Sequence, residues 1–175
     1  LNGARQVGKT YILREFGRNE YKRMAFFSLD RDQKALEIFN KGGRATDMLM
    51  ALSAICHEDI TPHDTLVVLD EIQNCPKALE ALKFFCEETP EIDIVVAGSL
   101  LGLSIHSGVS YPVGKVEELH LYPMTFLEFL EAMGKTQLVN LLENKNWTVI
   151  NMLETELISS LRQYYYVGGM PAAVL

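Results

Sequence analysis

Apolar residues in this chain fall into short unbroken runs, separated by stretches in which they recur every three or four positions. Residues 24–29 (MAFFSL), 65–69 (TLVVL) and 92–97 (IDIVVA) have the length and branched or aromatic content of buried strands. Residues 116–121 alternate, with Val116, Glu118 and His120 set against Glu117, Leu119 and Leu121, which predicts a half-buried strand. Helical spacing appears over 47–55, where Met48, Leu49, Leu52 and Ile55 share a side. It appears again after Asn74-Cys75-Pro76, where proline suits a first helical turn and Leu79, Leu82, Phe85 and Cys86 form an apolar face. From Met124 onward the pattern is helical: Phe126, Phe129, Leu130 and Met133 make one face, and Leu153, Leu157, Leu161 and Tyr164 another. Short apolar strands alternating with helices predict an α/β fold, a mainly parallel sheet covered on both sides, followed by a helical segment. Ligands of such sheets bind beyond the carboxyl ends of the strands.

Composition narrows the class. The chain has 175 residues, 48% of them hydrophobic, and a net charge of −7. That suits a globular domain with a continuous core, and the acidic balance argues against binding held mainly by nucleic-acid phosphates or anionic lipid. The uncharged run 94–105 is too short to span a bilayer and is interrupted by glycine and serine. Cys56, Cys75 and Cys86 show no Cys-x-x-Cys spacing and read as reduced thiols of a cytoplasmic protein. His57 beside Cys56, and His106 and His120 elsewhere, have no second ligand pair at zinc spacing. The chain starts at Leu1 rather than Met, with polar chemistry almost at once, so it reads as a piece of a longer protein.

That chemistry is Gly3-Ala4-Arg5-Gln6-Val7-Gly8-Lys9-Thr10, which fits G-x-x-x-x-G-K-[ST] at every specified position. Glycines let the backbone curl so that successive N–H groups point at a phosphate, and the following helix adds its positive end. Lys9 is expected to reach the β- and γ-phosphates, and the Thr10 hydroxyl to bind Mg²⁺. A helix-compatible stretch, 11–16, follows the loop, but only Leu1 and Asn2 remain of the strand expected to precede it.

A phosphate loop alone does not separate kinases, GTPases and transporter subunits; the second motif does. At the end of the 65–69 strand, Asp70 is expected to hold Mg²⁺ and Glu71 to orient and polarise an attacking water as general base. A carboxylate directly after the metal aspartate suits hydrolysis rather than transfer to another acceptor. Ser99, after Ala97-Gly98, is placed to hydrogen-bond a γ-phosphate or that water. A guanine-reading Asn/Thr-Lys-x-Asp is missing; Asn144-Lys145-Asn146-Trp147 lacks the acid, which favours adenine.

The ordered series of these motifs resembles a family of prokaryotic AAA-type P-loop ATPases, whose ATPase core is followed by a C-terminal domain of unknown function. The series is the phosphate loop 3–10, then 66–76 (LVVLDEIQNCP), 97–102 (AGSLLG), Pro112-Val113-Gly114-Lys115-Val116, 121–129 (LYPMTFLEF) and Val167-Gly168-Gly169-Met170-Pro171. The resemblance implies a three-layer α/β/α P-loop core over 1–134 whose central first strand is largely missing. A helical lid or linker over 135–175 then leads toward a further C-terminal domain. It also implies ATP and Mg²⁺ as ligands, with Lys9 and Thr10 on phosphate and metal, Asp70 on the metal, Glu71 as base and Ser99 as a sensor-like polar residue. Hydrolysis would drive rearrangement of attached segments or partners, in a possible homo-oligomer. The alternative is a nucleotide-dependent switch with little turnover, and a kinase is the third reading. Arg44 and Arg162 are candidates for an arginine supplied across a subunit interface, with nothing to select either. The basic residues Arg14, Arg18, Lys22 and Arg23, interleaved with Glu15 and Glu20, read as a solvated helix end. Of Tyr164, Tyr165 and Tyr166, at least one is expected in the core.

Overall fold

The computed structural model describes residues 1–99 and 114–174. Leu100, Leu101, Gly102, His106, Pro112 and Val113, which the sequence reading used, lie outside the described residues. The chain forms two compact units, one of Leu1–Gly3 with Lys9–Leu121 and one of Ala4–Gly8 with Tyr122–Leu175.

In the first unit the order is β1 (Asn2–Gly3), α1 (Lys9–Glu20), β2 (Arg23–Ser28), α2 (Gln33–Lys41), α3 (Ala45–Cys56), β3 (Thr65–Asp70), a 3₁₀ turn (Ile72–Asn74), α4 (Pro76–Glu88), β4 (Asp93–Val96) and β5 (His120–Leu121). All strand pairs are parallel. β3 lies between β2 and β4, β1 pairs with β5, and a bridge from Asn2 to Gly98 links the two groups. Every residue of β3 is buried, as its unbroken apolar run predicts. The period of two sends Val67 and Leu69, with Ala25 and Phe27 of β2, into a core shared with α2, α3 and α4. Leu66 and Val68 enter a second core with Leu13 of α1, joined by the half-buried Met24 and Phe26. Helices thus cover both faces of the sheet, and the fold is the expected mixed α/β fold with parallel strands.

Two expectations are corrected and one element is added. The alternation over 116–121 yields a strand only at His120–Leu121; Glu117, Glu118 and Leu119 are exposed, and of the apolar residues before the strand Val116 packs against the core. Cys86 is exposed, because the buried face of α4 runs through Ala78, Leu79, Ala81, Leu82 and Phe85 and turns away from it. Helix α2, not anticipated, is capped by the Asp32 carboxylate, which accepts from the Ala35 N–H at 3.1 Å, and it buries Ala35 and Phe39.

The second unit is helical: α5 (Phe126–Ala132), α6 (Thr136–Glu143), α7 (Trp147–Met152), α8 (Glu154–Val167) and α9 (Pro171–Val174). Thr125 and Glu128 form a reciprocal capping box at the start of α5. Tyr164 packs against Phe126 and Phe129, with centroids 5.7 and 5.4 Å away, while Tyr165 and Tyr166 are exposed. The Tyr164 hydroxyl donates to the Met124 carbonyl at 2.8 Å, and the Met124 N–H donates to Gly169 O at 2.7 Å. A Cβ at Gly169 would collide with the Met124 backbone, so glycine is required where the two segments meet. Tyr164→Phe should therefore lower stability by about 1 kcal/mol, read as a reduced melting temperature with unchanged helical content. Among the described residues no helix is long and apolar enough to cross a membrane.

Candidate functional site

The parallel register places the carboxyl ends of β2 and β3 side by side, with Ser28 opposite Asp70. Asp70 shares the strand parity of Leu66 and Val68, the side covered by α1, and Thr10 stands in the first turn of that helix. The Thr10 hydroxyl donates to Asp70 Oδ2 at 2.6 Å, and Asp70 Oδ1 accepts the Glu71 N–H at 3.0 Å. Asp70 is only 4% exposed, so its two oxygens are aimed by the fold rather than free to wander.

Lys9 is buried, and its Nζ donates to the Gly3 carbonyl at 2.9 Å. Burial pulls its pKa below the ordinary lysine value, against the opposing pull of the Glu71 and Asp70 charges. Lys9, Asp70 and Glu71 thus belong to one electrostatic cluster. The loop segment Ala4–Gly8, counted with the second unit, holds Gln6 at φ 63° and Gly8 at φ 98°. Glycine adopts the latter without strain.

Glu71 has φ 55° and ψ 43°, a left-handed conformation unusual for a residue with a side chain. The turn after it is fixed by the wholly buried Ile72, whose N–H donates to the Ala97 carbonyl at 2.9 Å. Gln73, which nothing in the sequence pattern singles out, donates its Nε2–H to Glu71 Oε2. Ser99 has a buried Oγ with no hydrogen-bond partner among the described residues, so the structure does not bond it to Thr10, Asp70 or Glu71.

Beside these groups lies a cavity of about 720 Å³, lined by Thr10, Asp70 and Glu71 and by Arg14, Asp30 and Arg31. Arg14 is exposed, as a solvated helix end predicts, and stacks 4.0 Å over the Phe26 ring at the lining of the cavity. The other basic residues of that stretch are engaged locally: Arg18 with Glu15, Lys22 with Asp64, and Arg23 with Thr61 and the Asp59 carbonyl. Arg44 is held by both oxygens of Asp47.

The donor set suits Mg²⁺: a hydroxyl and a carboxylate, both hard oxygens, already converge at hydrogen-bond distance. Among the described residues no cluster of three or more His, Cys, Asp or Glu forms a metal cage. An ion here would be completed by water and substrate oxygens, as Mg²⁺ prefers.

A family model described as an AAA domain matches residues 1–130. The chain belongs to the AAA domain family. Comparison with curated protein sequences yields no significant match. Among solved structures, this AAA domain is similar to the Aeropyrum pernix ORC2 protein, determined in ADPNP and ADP complexes, with 17% identity and a TM-score of 0.47. The match covers 77% of this chain and 44% of that one, so the chain spans less than half of that protein's length.

Proposed function

We propose that this AAA domain binds ATP with Mg²⁺ and hydrolyses it to ADP and phosphate, driving conformational change in attached or partner segments. The observation that carries the reading is the Thr10–Asp70 contact, with Glu71 next in the chain and beside the same cavity. In this reading the backbone N–H groups of residues 3–10 cradle the phosphates and Lys9 neutralises β- and γ-oxygens. Thr10 and Asp70 hold Mg²⁺, whose charge, when bound, offsets the charge developing on the phosphoryl oxygens. Glu71 accepts a proton from the attacking water, and the buried Ser99 hydroxyl donates toward the γ-phosphate.

Lys9→Ala tests nucleotide recognition. The loss of a desolvated cation should weaken ATP affinity by on the order of 100-fold or more, measured by titration calorimetry with a non-hydrolysable analogue and Mg²⁺. Unchanged affinity would remove Lys9 from the site. The alternative of a switch with little turnover predicts tight ATP binding and negligible phosphate release at every protein concentration.

A further inference from the structure

We infer that Gln73 is a positioning residue for Glu71: its side-chain amide fixes one oxygen of the carboxylate so that the other faces the attacking water. The inference rests on the reading of Glu71 as base. Three observations carry it.

Gln73 Nε2 donates to Glu71 Oε2, which occupies one carboxylate oxygen and leaves Oε1 to accept from water. With the amide reversed, its carbonyl oxygen would face the carboxylate and repel it, so the donor end is the one that meets Glu71. The backbone that carries Gln73 is held as well. It stands in the 3₁₀ turn Ile72–Asn74, where the Ile72 N–H is bound to Ala97 O, the Asn74 N–H donates to Glu71 O at 3.0 Å, and the Cys75 N–H donates to Ile72 O at 3.0 Å.

The third observation separates positioning from packing. Gln73 Oε1 is buried with no hydrogen-bond partner among the described residues. A buried carbonyl without a donor is destabilising, so an apolar side chain of similar length would serve a purely structural purpose better. Among the described residues, the hydrogen bond that the amide makes is its N–H to the base. The same turn is tied to the end of β4, two residues before Ser99, so the base and the sensor-like serine share one rigid support.

Gln73→Met keeps the length and removes the amide. In the natural full-length protein with saturating Mg²⁺, kcat for ATP should fall on the order of 10–100-fold, the usual cost of misorienting a reacting group. KM for ATP and affinity for a non-hydrolysable analogue should stay within about twofold, and the melting temperature should hold or rise. In a Glu71→Gln background the same change should cost nothing more, because Gln73 acts through the carboxylate. Unchanged kcat in Gln73→Met, with turnover lost in Glu71→Gln, overturns the inference and leaves the base intact. A fall in melting temperature together with a raised KM also overturns it, assigning Gln73 to packing. Turnover that survives Glu71→Gln, or is absent from the parent protein, overturns the reading on which the inference rests.

Discussion

Glu71→Gln is expected to reduce ATP turnover by at least about 100-fold while leaving ATP affinity within a few-fold. The substitution keeps size and shape and removes the negative charge and, with it, the ability to take a proton. Binding should survive because the groups proposed to hold nucleotide and metal, Lys9, Thr10 and Asp70, are untouched, and the Glu71 N–H to Asp70 Oδ1 bond belongs to the backbone. The left-handed conformation of residue 71 is retained with either side chain. Phosphate release under single-turnover conditions, set beside analogue binding, separates the two quantities. Turnover at the parent rate would exclude Glu71 as the base and return the phosphoryl chemistry to Mg²⁺ and the loop alone.

The second large effect is on stability. Phe27→Ala should cost about 3–5 kcal/mol, a large fraction of the roughly 5–15 kcal/mol typical of a whole domain. Phe27 is 1% exposed in the middle of the larger core, between Ala25 and Leu29 and against the α2–α4 side of the sheet. Its neighbour Ser28 is the residue paired with Asp70, so a collapse of β2 would also disturb the edge of the cavity. Chemical denaturation should show the loss directly. Phe16→Ala, at a residue 43% exposed, serves as the comparison and should cost far less.

Much of this was legible because burial leaves a strong imprint on sequence. The run TLVVL has the length and branched content of a strand covered on both faces, and Asp70 closes it. Pro76 marks the first position of α4, and Tyr164 is the tyrosine that enters the core. Val116 to Leu119 misled because polarity along so short a stretch does not show a partner strand, and Leu119 is exposed. Helix α2 was hidden by its short length and mixed composition, its start depending on a single cap at Asp32. Gln73 was illegible for a different reason. Its role depends on the left-handed turn at Glu71 and on the amide reaching back two residues, neither of which has a periodic signature.

The sheet register carries a consequence for how the domain folds. Residues 66, 68 and 70 share one face of β3, and 67 and 69 the other. A slip of β3 by one residue against its neighbours would exchange the faces and carry the Asp70 carboxylate into the apolar layer beneath α2, α3 and α4. An unpaired charge there costs several kcal/mol, more than a strand exchanging one aliphatic side chain for another could recover. The aspartate proposed to hold the metal therefore also weighs against the slipped register and favours the native pairing.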